Sequence, residues 1–405
     1  MKLKFAFTFL FLLTIKIFSQ GTDMEIVDKL ISEVKTNLIP DKRTAIFNVE
    51  YDKQSKTLKG ETNLIHVKNI LLQELNHHNI EFKDEVEILP SKKLGDKIYG
   101  IVNLSVSNIR TKPDHPEELA TQALLGTPVK IFKKESGFYL VQTPDKYISW
   151  VDADGITPMN KNQFDEWIKS PKIIFTKEFG FAYTEPNINS QRVSDLVAGN
   201  ILVLLNEEND FFKVKYPDER IAFVPKENCT EYTTWLENLK PTKESIVNTA
   251  KLFIGIPYLW GGTSVKGMDC SGFTKTVYFL NGIILQRDAS QQANDGDLVD
   301  TKNGFENLQP GDLLFFGQHA TDSTKEKITH VGIYLGNYEF IHEAGKVSIN
   351  SFDKDAKNFN EYRLKHFIRA KRILTSINKN GITTLKTNKF YLGEMEWNPT
   401  EEIFY

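Results

Sequence analysis

Two stretches of this chain are copies of one unit, offset by 73 positions. Thr127-Pro-Val-Lys-Ile-Phe132 aligns with Asn200-Ile-Leu-Val-Leu-Leu205. Gly137-Phe-Tyr-Leu-Val-Gln-Thr-Pro-Asp145 aligns with Asp210-Phe-Phe-Lys-Val-Lys-Tyr-Pro-Asp218, and Trp150-Val151 with Phe223-Val224. Each copy must bury its aromatic and aliphatic residues within a short unit. Its β-rich runs, broken by Pro-Asp turns, do so by closing into a small barrel. Two copies make a duplication rather than a solenoid, which needs at least three stacked repeats.

The duplication accounts for residues 98–160 and 171–232 of a 405-residue chain, so other domains flank it. Residues 20–97 mix helical spacing (Ile26, Val27, Leu30, Ile31, Val34), an alternating strand (Ile46, Val49, Tyr51) and a second helical run over 67–75. They predict a small α/β module. Residues 240–375 read differently. Helical runs at 243–253 and 269–281 come first. Strand-like runs follow at 313–316, 330–335, 339–341, 347–349 and 367–373, predicting an α+β domain on an antiparallel sheet. The tail, 376–405, carries no functional reading.

The chain starts with Lys2 and Lys4, an apolar run over 5–15, and a small residue at Ser19. This predicts a signal peptide, 1–19, cut before Gln20, and an exported protein, periplasmic or extracellular, with no stable membrane insertion. Its removal leaves 47 basic against 53 acidic residues, so no positive surplus exists to neutralise phosphates and nucleic acid is not an expected partner. Two cysteines, Cys229 and Cys270, exclude a disulfide scaffold and a multi-cysteine metal site. Neither metal nor organic cofactor is expected.

Chemistry converges on Cys270, in Gly267-Met-Asp-Cys-Ser-Gly-Phe273 at the start of a predicted helix. A helix N-terminus favours thiolate over thiol, and thiolate is the nucleophile. Cys229 has no histidine near it in sequence and reads as structural. Of eight histidines, His330 starts a strand in Thr329-His-Val-Gly-Ile-Tyr-Leu-Gly336, and His342 ends the next in Phe340-Ile-His-Glu-Ala344. A hairpin turning at Gly336-Asn337 brings them together. His330 is then the base and His342 its orienter, in a nucleophile–base–orienter relay.

Ile256-Pro-Tyr-Leu-Trp-Gly-Gly-Thr-Ser264, Asp269-Cys-Ser-Gly-Phe273, Leu308-Gln-Pro-Gly-Asp-Leu-Leu-Phe-Phe316 and Thr329-His-Val-Gly-Ile333 together resemble the ordered motifs of the NlpC/P60 cysteine peptidases. The repeats resemble bacterial SH3 domains. The resemblance implies a papain-like catalytic domain, a relay of Cys270, His330 and His342, and cleavage of peptidoglycan stem peptides. With two SH3-like barrels and Arg287-Asp-Ala-Ser-Gln-Gln292, the chain looks like the γ-D-glutamyl-L-diamino-acid endopeptidases of the dipeptidyl-peptidase VI type, which require a free N-terminal L-Ala. Gln286 stands where that group usually has proline.

That likeness implies Asp288 as partner of the substrate ammonium, with Ser290 adding a hydroxyl. It implies Glu118 (in Glu118-Leu-Ala-Thr-Gln122) as a second acid and Tyr147 as a phenol, both from the first barrel. It also implies Tyr258 beside the oxyanion position; Ser271 flanks the nucleophile and is expected to touch substrate. A buried ammonium demands such partners, whereas an amide-blocked alanine would leave them unpaired. The expected partners are therefore peptidoglycan-derived peptides. Two alternatives stay open at this point: a hydrolase of polymeric wall with targeting barrels, and a non-catalytic wall-binding protein.

Overall fold

In the computed structural model, which describes residues 23–379, 381–395 and 397, each repeat closes into a seven-stranded sheet. The first runs from Tyr99–Val102 to Ile156–Met159, and the second from Lys172–Phe175 to Cys229–Glu231. Every strand of the second begins 73 residues after its counterpart. Both sheets have the strand order seventh, first, fourth, fifth, sixth, second, third. Ile101, Ile131, Val141 and Val151 fill the first barrel, and Ile173, Leu202, Val214 and Val224 the second. The barrels join directly: the Ile201 N–H donates to the Leu125 carbonyl at 3.0 Å, and Leu125 lies in the second barrel's core. The expected leader, 1–19, lies outside the described residues, as does the tail beyond 397.

The N-terminal module has a helix, Asp23–Leu38, and three strands, Phe47–Asp52, Thr57–Thr62 and Lys83–Ile88. The last two are parallel and joined through the helix Ile65–His77, which buries Val67, Leu71 and Leu75. His77 and His78 sit at that helix's exposed end. The segment between the first helix and first strand leans on the first barrel, where the Ile148 N–H donates to the Arg43 carbonyl at 2.8 Å.

In the α+β domain over 240–375, the helices Lys243–Leu252 and Cys270–Phe279 share a core with a six-stranded antiparallel sheet. In order across the sheet its strands are Asp297–Val299, Phe367–Arg372, Leu313–Gln318, Lys327–Gly336, Glu339–Glu343 and Val347–Ser351. The edge strand Asp297–Val299 was not among the expected runs, because three residues, two of them exposed, carry no alternation. Phe273 and Val277 of the second helix pack on Phe315, Val331, Ile333 and Ile341. The histidine hairpin turns one residue later than expected: Asn337 and Tyr338 both have positive φ, the geometry of a two-residue type I′ turn.

The tail has a structural role. Thr383–Thr384 pairs with Ile283–Ile284, while Phe390 and Met395 pack with Tyr99 and Phe164 of the first-barrel region. The segment thus straps the α+β domain to that barrel.

Candidate active site

Cys270 is the first residue of its helix and 8% exposed. Asp269 caps the helix, accepting the Gly272 N–H at 2.7 Å. Gly272 has no side chain where the Gly262 carbonyl approaches, so the helix start can press against the Trp260-Gly261-Gly262 loop. The expected thiolate preference is not what dominates here. Burial first, then the Asp269 charge, push the thiol up to about 12, against the favourable Val331 N–H and Arg287. Burial outweighs the helix terminus in setting that direction.

The two histidines stand on neighbouring strands. Gly332 faces His342 across the ladder, so His330 and His342 are diagonal neighbours, with His330 Nε2 2.8 Å from His342 Nδ1. The same step recurs on the next strand. His342 faces Ser348, and His342 Nε2 lies 2.7 Å from Oδ1 of Asn350. Backbone groups fix every orientation in this row. The Arg363 N–H donates to Asn360 Oδ1, so the Asn360 amide nitrogen points to Asn350 Oδ1, 3.1 Å away. The Asn350 amide nitrogen donates to the Asn358 carbonyl. Its oxygen therefore accepts from His342 Nε2–H, leaving His342 Nδ1 to accept from His330 Nε2–H. The remaining nitrogen of His330, Nδ1, keeps its lone pair and can accept a proton.

Both imidazoles are buried. Burial, followed by the nearby Arg363, holds His330 well below the ordinary imidazole range. Burial lowers His342 to about 4. Arg363 lies over the Phe316 ring, 5.5 Å from its centre, and Phe316 lies 5.7 Å from the His330 ring.

Beside the nucleophile, Arg287 is 1% exposed and forks onto Asp269, at 2.6 and 3.1 Å. Its Nε donates to Thr121 of the first barrel at 2.8 Å. The Ser271 hydroxyl is committed to this pair: it donates to Asp269 at 3.2 Å and accepts from Arg287 at 3.0 Å. Ser271 was expected to touch substrate through its hydroxyl or backbone, and its hydroxyl is engaged in the buried ion pair.

Asp288 heads the short helix Ala289–Gln292. Arg43 of the N-terminal module donates to Asp288 Oδ2 at 2.8 Å and to the Ser290 hydroxyl at 3.0 Å. Tyr147 stands within reach of the same charges; burial first, then Asp288, raise its phenol above the ordinary range. Glu118 is elsewhere on the rim. It is exposed and accepts the Trp260 indole N–H at 2.7 Å, and it has no hydrogen bond or ion pair with Asp288 or Tyr147. Tyr258 is 38% exposed; burial first, then negative charge at Cys270, raise its phenol above the ordinary range. Among the described residues, no group of three or more His, Cys, Asp or Glu side chains is placed to hold a metal ion.

Asn350, Arg43 and Arg287 had no assigned role from the sequence. Arg287 stood inside a quoted motif. Asn350 sits two positions past Ser348 on a period-2 strand, a signal legible only once the register with His342 is known.

A cysteine at a helix start and two buried imidazoles in line match the layout of a cysteine peptidase of papain-like design. The NlpC/P60 family pattern matches residues 255–369, and the pattern described as bacterial dipeptidyl-peptidase Sh3 domain matches residues 109–156. The chain is 33% identical over 233 residues to a γ-D-glutamyl-L-lysine dipeptidyl-peptidase of Bacillus cereus, covering 56% of this chain and 67% of that protein. It is 35% identical over 229 residues to the Bacillus subtilis protein of the same name, covering 55% and 72%. A crystal structure of an NlpC/P60 family protein from Bacillus cereus superposes with a TM-score of 0.58 at 27% identity, covering 68% of this chain and 99% of that one. The chain belongs to the NlpC/P60 family of cysteine peptidases.

Proposed function

We propose that this protein hydrolyses the γ-D-glutamyl–diamino-acid bond of peptidoglycan stem peptides that carry a free N-terminal L-Ala, and that it does so after export. The observation that carries the reading is the setting of Asp288, which heads a short helix and is bonded by Arg43, whose carbonyl accepts the N–H of Ile148, the neighbour of the first barrel's Tyr147. A carboxylate and a phenol there suit an ammonium. The relatives named γ-D-glutamyl-L-lysine dipeptidyl-peptidase support the same substrate class. Among the described residues no helix is long and apolar enough to cross a membrane.

In this mechanism His330 Nδ1 takes the Cys270 proton as the sulfur attacks the γ-carbonyl. The Cys270 N–H and the Tyr258 hydroxyl stabilise the oxyanion. The His330 imidazolium, hydrogen-bonded to His342, then protonates the leaving amine, and the fragment beginning with the diamino acid departs. Water, deprotonated by His330, opens the thioester and frees L-Ala-D-Glu.

The test compares hydrolysis of L-Ala-γ-D-Glu-L-Lys with its N-acetylated form. Strong preference for the free amine is expected. Equal rates would overturn the amine-anchored reading and favour action on polymeric wall.

A further inference from the structure

The amine end of the cleft contains a cation. Arg43 comes from the N-terminal module, 245 positions from Asp288 in sequence, and its Nη1 lies 2.8 Å from Asp288 Oδ2 and 3.0 Å from the Ser290 hydroxyl. At first sight a guanidinium on the expected counter-ion of an ammonium is a contradiction. Either Arg43 is a latch that occupies the site until substrate displaces it, or it is a fixed part of the site.

The way Arg43 is held decides between them. Its Nε and Nη2 fork onto the two oxygens of Asp41, each at 2.7 Å, and its backbone N–H donates to Asp41 Oδ1 at 2.9 Å. Its carbonyl accepts the Ile148 N–H of the first barrel at 2.8 Å. Asp41 is itself tied to the amine loop, accepting from Gln291 Nε2 at 2.8 Å. A latch must swing, and this side chain is anchored at both ends by bidentate and backbone bonds that also bind three modules together. The charge count agrees. Asp41 and Asp288 carry two negative charges against the one positive charge of Arg43. One negative charge is left over, which matches one ammonium. Arg43 bonds one oxygen of Asp288, whose carboxylate also accepts the Gln291 N–H in a capping box, so the carboxylate is held in place from two sides.

We propose that the N-terminal module is a working part of the amine subsite, with Arg43 a positioning residue that fixes the Asp288 carboxylate for the substrate ammonium. This rests on the amine-anchored reading above. Asp41 acts through Arg43, and Tyr147, whose neighbour Ile148 binds the Arg43 backbone, is held in the same frame.

The experiment uses the full chain with L-Ala-γ-D-Glu-L-Lys and its N-acetylated form, in the wild type, Arg43→Gln, Arg43→Lys and Asp41→Asn. Arg43→Gln is expected to raise KM for the free peptide about tenfold, with kcat within about twofold and the rate on the acetylated peptide unmoved. The preference for the free amine then falls about tenfold. Arg43→Lys, which keeps the charge but not the fork, should recover part of that preference, and Asp41→Asn should lose a smaller part. The proposal is overturned if both peptides suffer alike, which is the mark of a merely structural contact. An unmoved preference overturns it too, as does a KM that falls, since a latch gives that result. Should Arg43→Gln melt far below the wild type, Arg43→Lys and Asp41→Asn decide by the same ratio. A wild type that does not discriminate sinks the amine-anchored reading itself, an outcome separate from these.

Discussion

His330 Nε2 lies 2.8 Å from His342 Nδ1, and the direction of that bond is set from the far side of the sheet. Asn350, pinned by the Asn358 carbonyl, can offer only its oxygen to His342, so the proton between the histidines belongs to His330. His342→Ala should lower kcat by about a thousandfold, as loss of an orienting partner does in related relays. Asn350→Ala should lower kcat by about tenfold with little change in KM, because the tautomer loses its anchor while the pocket keeps its shape. Steady-state kinetics check both; a KM effect without a kcat effect would remove Asn350 from the relay.

The pH profile follows from the buried imidazoles. His330 works only when neutral, and burial with Arg363 nearby keeps it neutral well below the usual imidazole range. The acid limb of kcat/KM should therefore fall clearly below pH 6.5. Arg363→Met removes a positive neighbour and should move that limb to higher pH. A wild-type profile already half lost at pH 6.5 would contradict this account.

Glu343 follows His342 in the strand, is 0% exposed, and has no hydrogen-bond partner for either carboxyl oxygen. Burial first, then Asp269, push its carboxyl up to about 7 from 4.5. A group whose folded pKa is raised holds its proton longer in the folded chain. Between about pH 4.5 and 7 the unfolded chain binds fewer protons, so stability contributed here falls as pH rises through that window. Glu343→Gln removes the penalty. Its melting temperature should match the wild type near pH 4.5 and exceed it at pH 8, measured by thermal denaturation.

Arg287 and Asp269 form a buried pair between the nucleophile's helix and the first barrel. Arg287→Met leaves Asp269 uncompensated and should destabilise the protein by about 3–5 kcal/mol. Arg287→Lys should recover little, since a lysine cannot reproduce the fork. Urea unfolding monitored at the catalytic domain would show it.

Much of this architecture is visible in the residues alone. The repeat spacing recurs strand by strand, because turn residues at fixed offsets set where each strand starts. Cys270, His330 and His342 stand out in the sequence since each is a chemistry-bearing residue at the edge of a clear periodic run. Asn350 was not, because its part depends on the register of three strands at once. Arg43 was not, because no local pattern announces a contact across 245 positions. The engagement of the Ser271 hydroxyl was hidden for a related reason: its partner Arg287 arrives from a separate loop. Glu118, matched to the amine pocket by resemblance, accepts the Trp260 indole N–H, a contact between barrel and loop that no local pattern announces.

Gly261 has a positive φ, and a side chain there would strike the carbonyl of Leu119 in the first barrel. The barrel is thus seated flush on the loop next to the nucleophile, without clearance for one methyl group. An alanine at 261 would have to displace the barrel, the loop or both, so the seam beside the nucleophile is gauged to within a single methyl group.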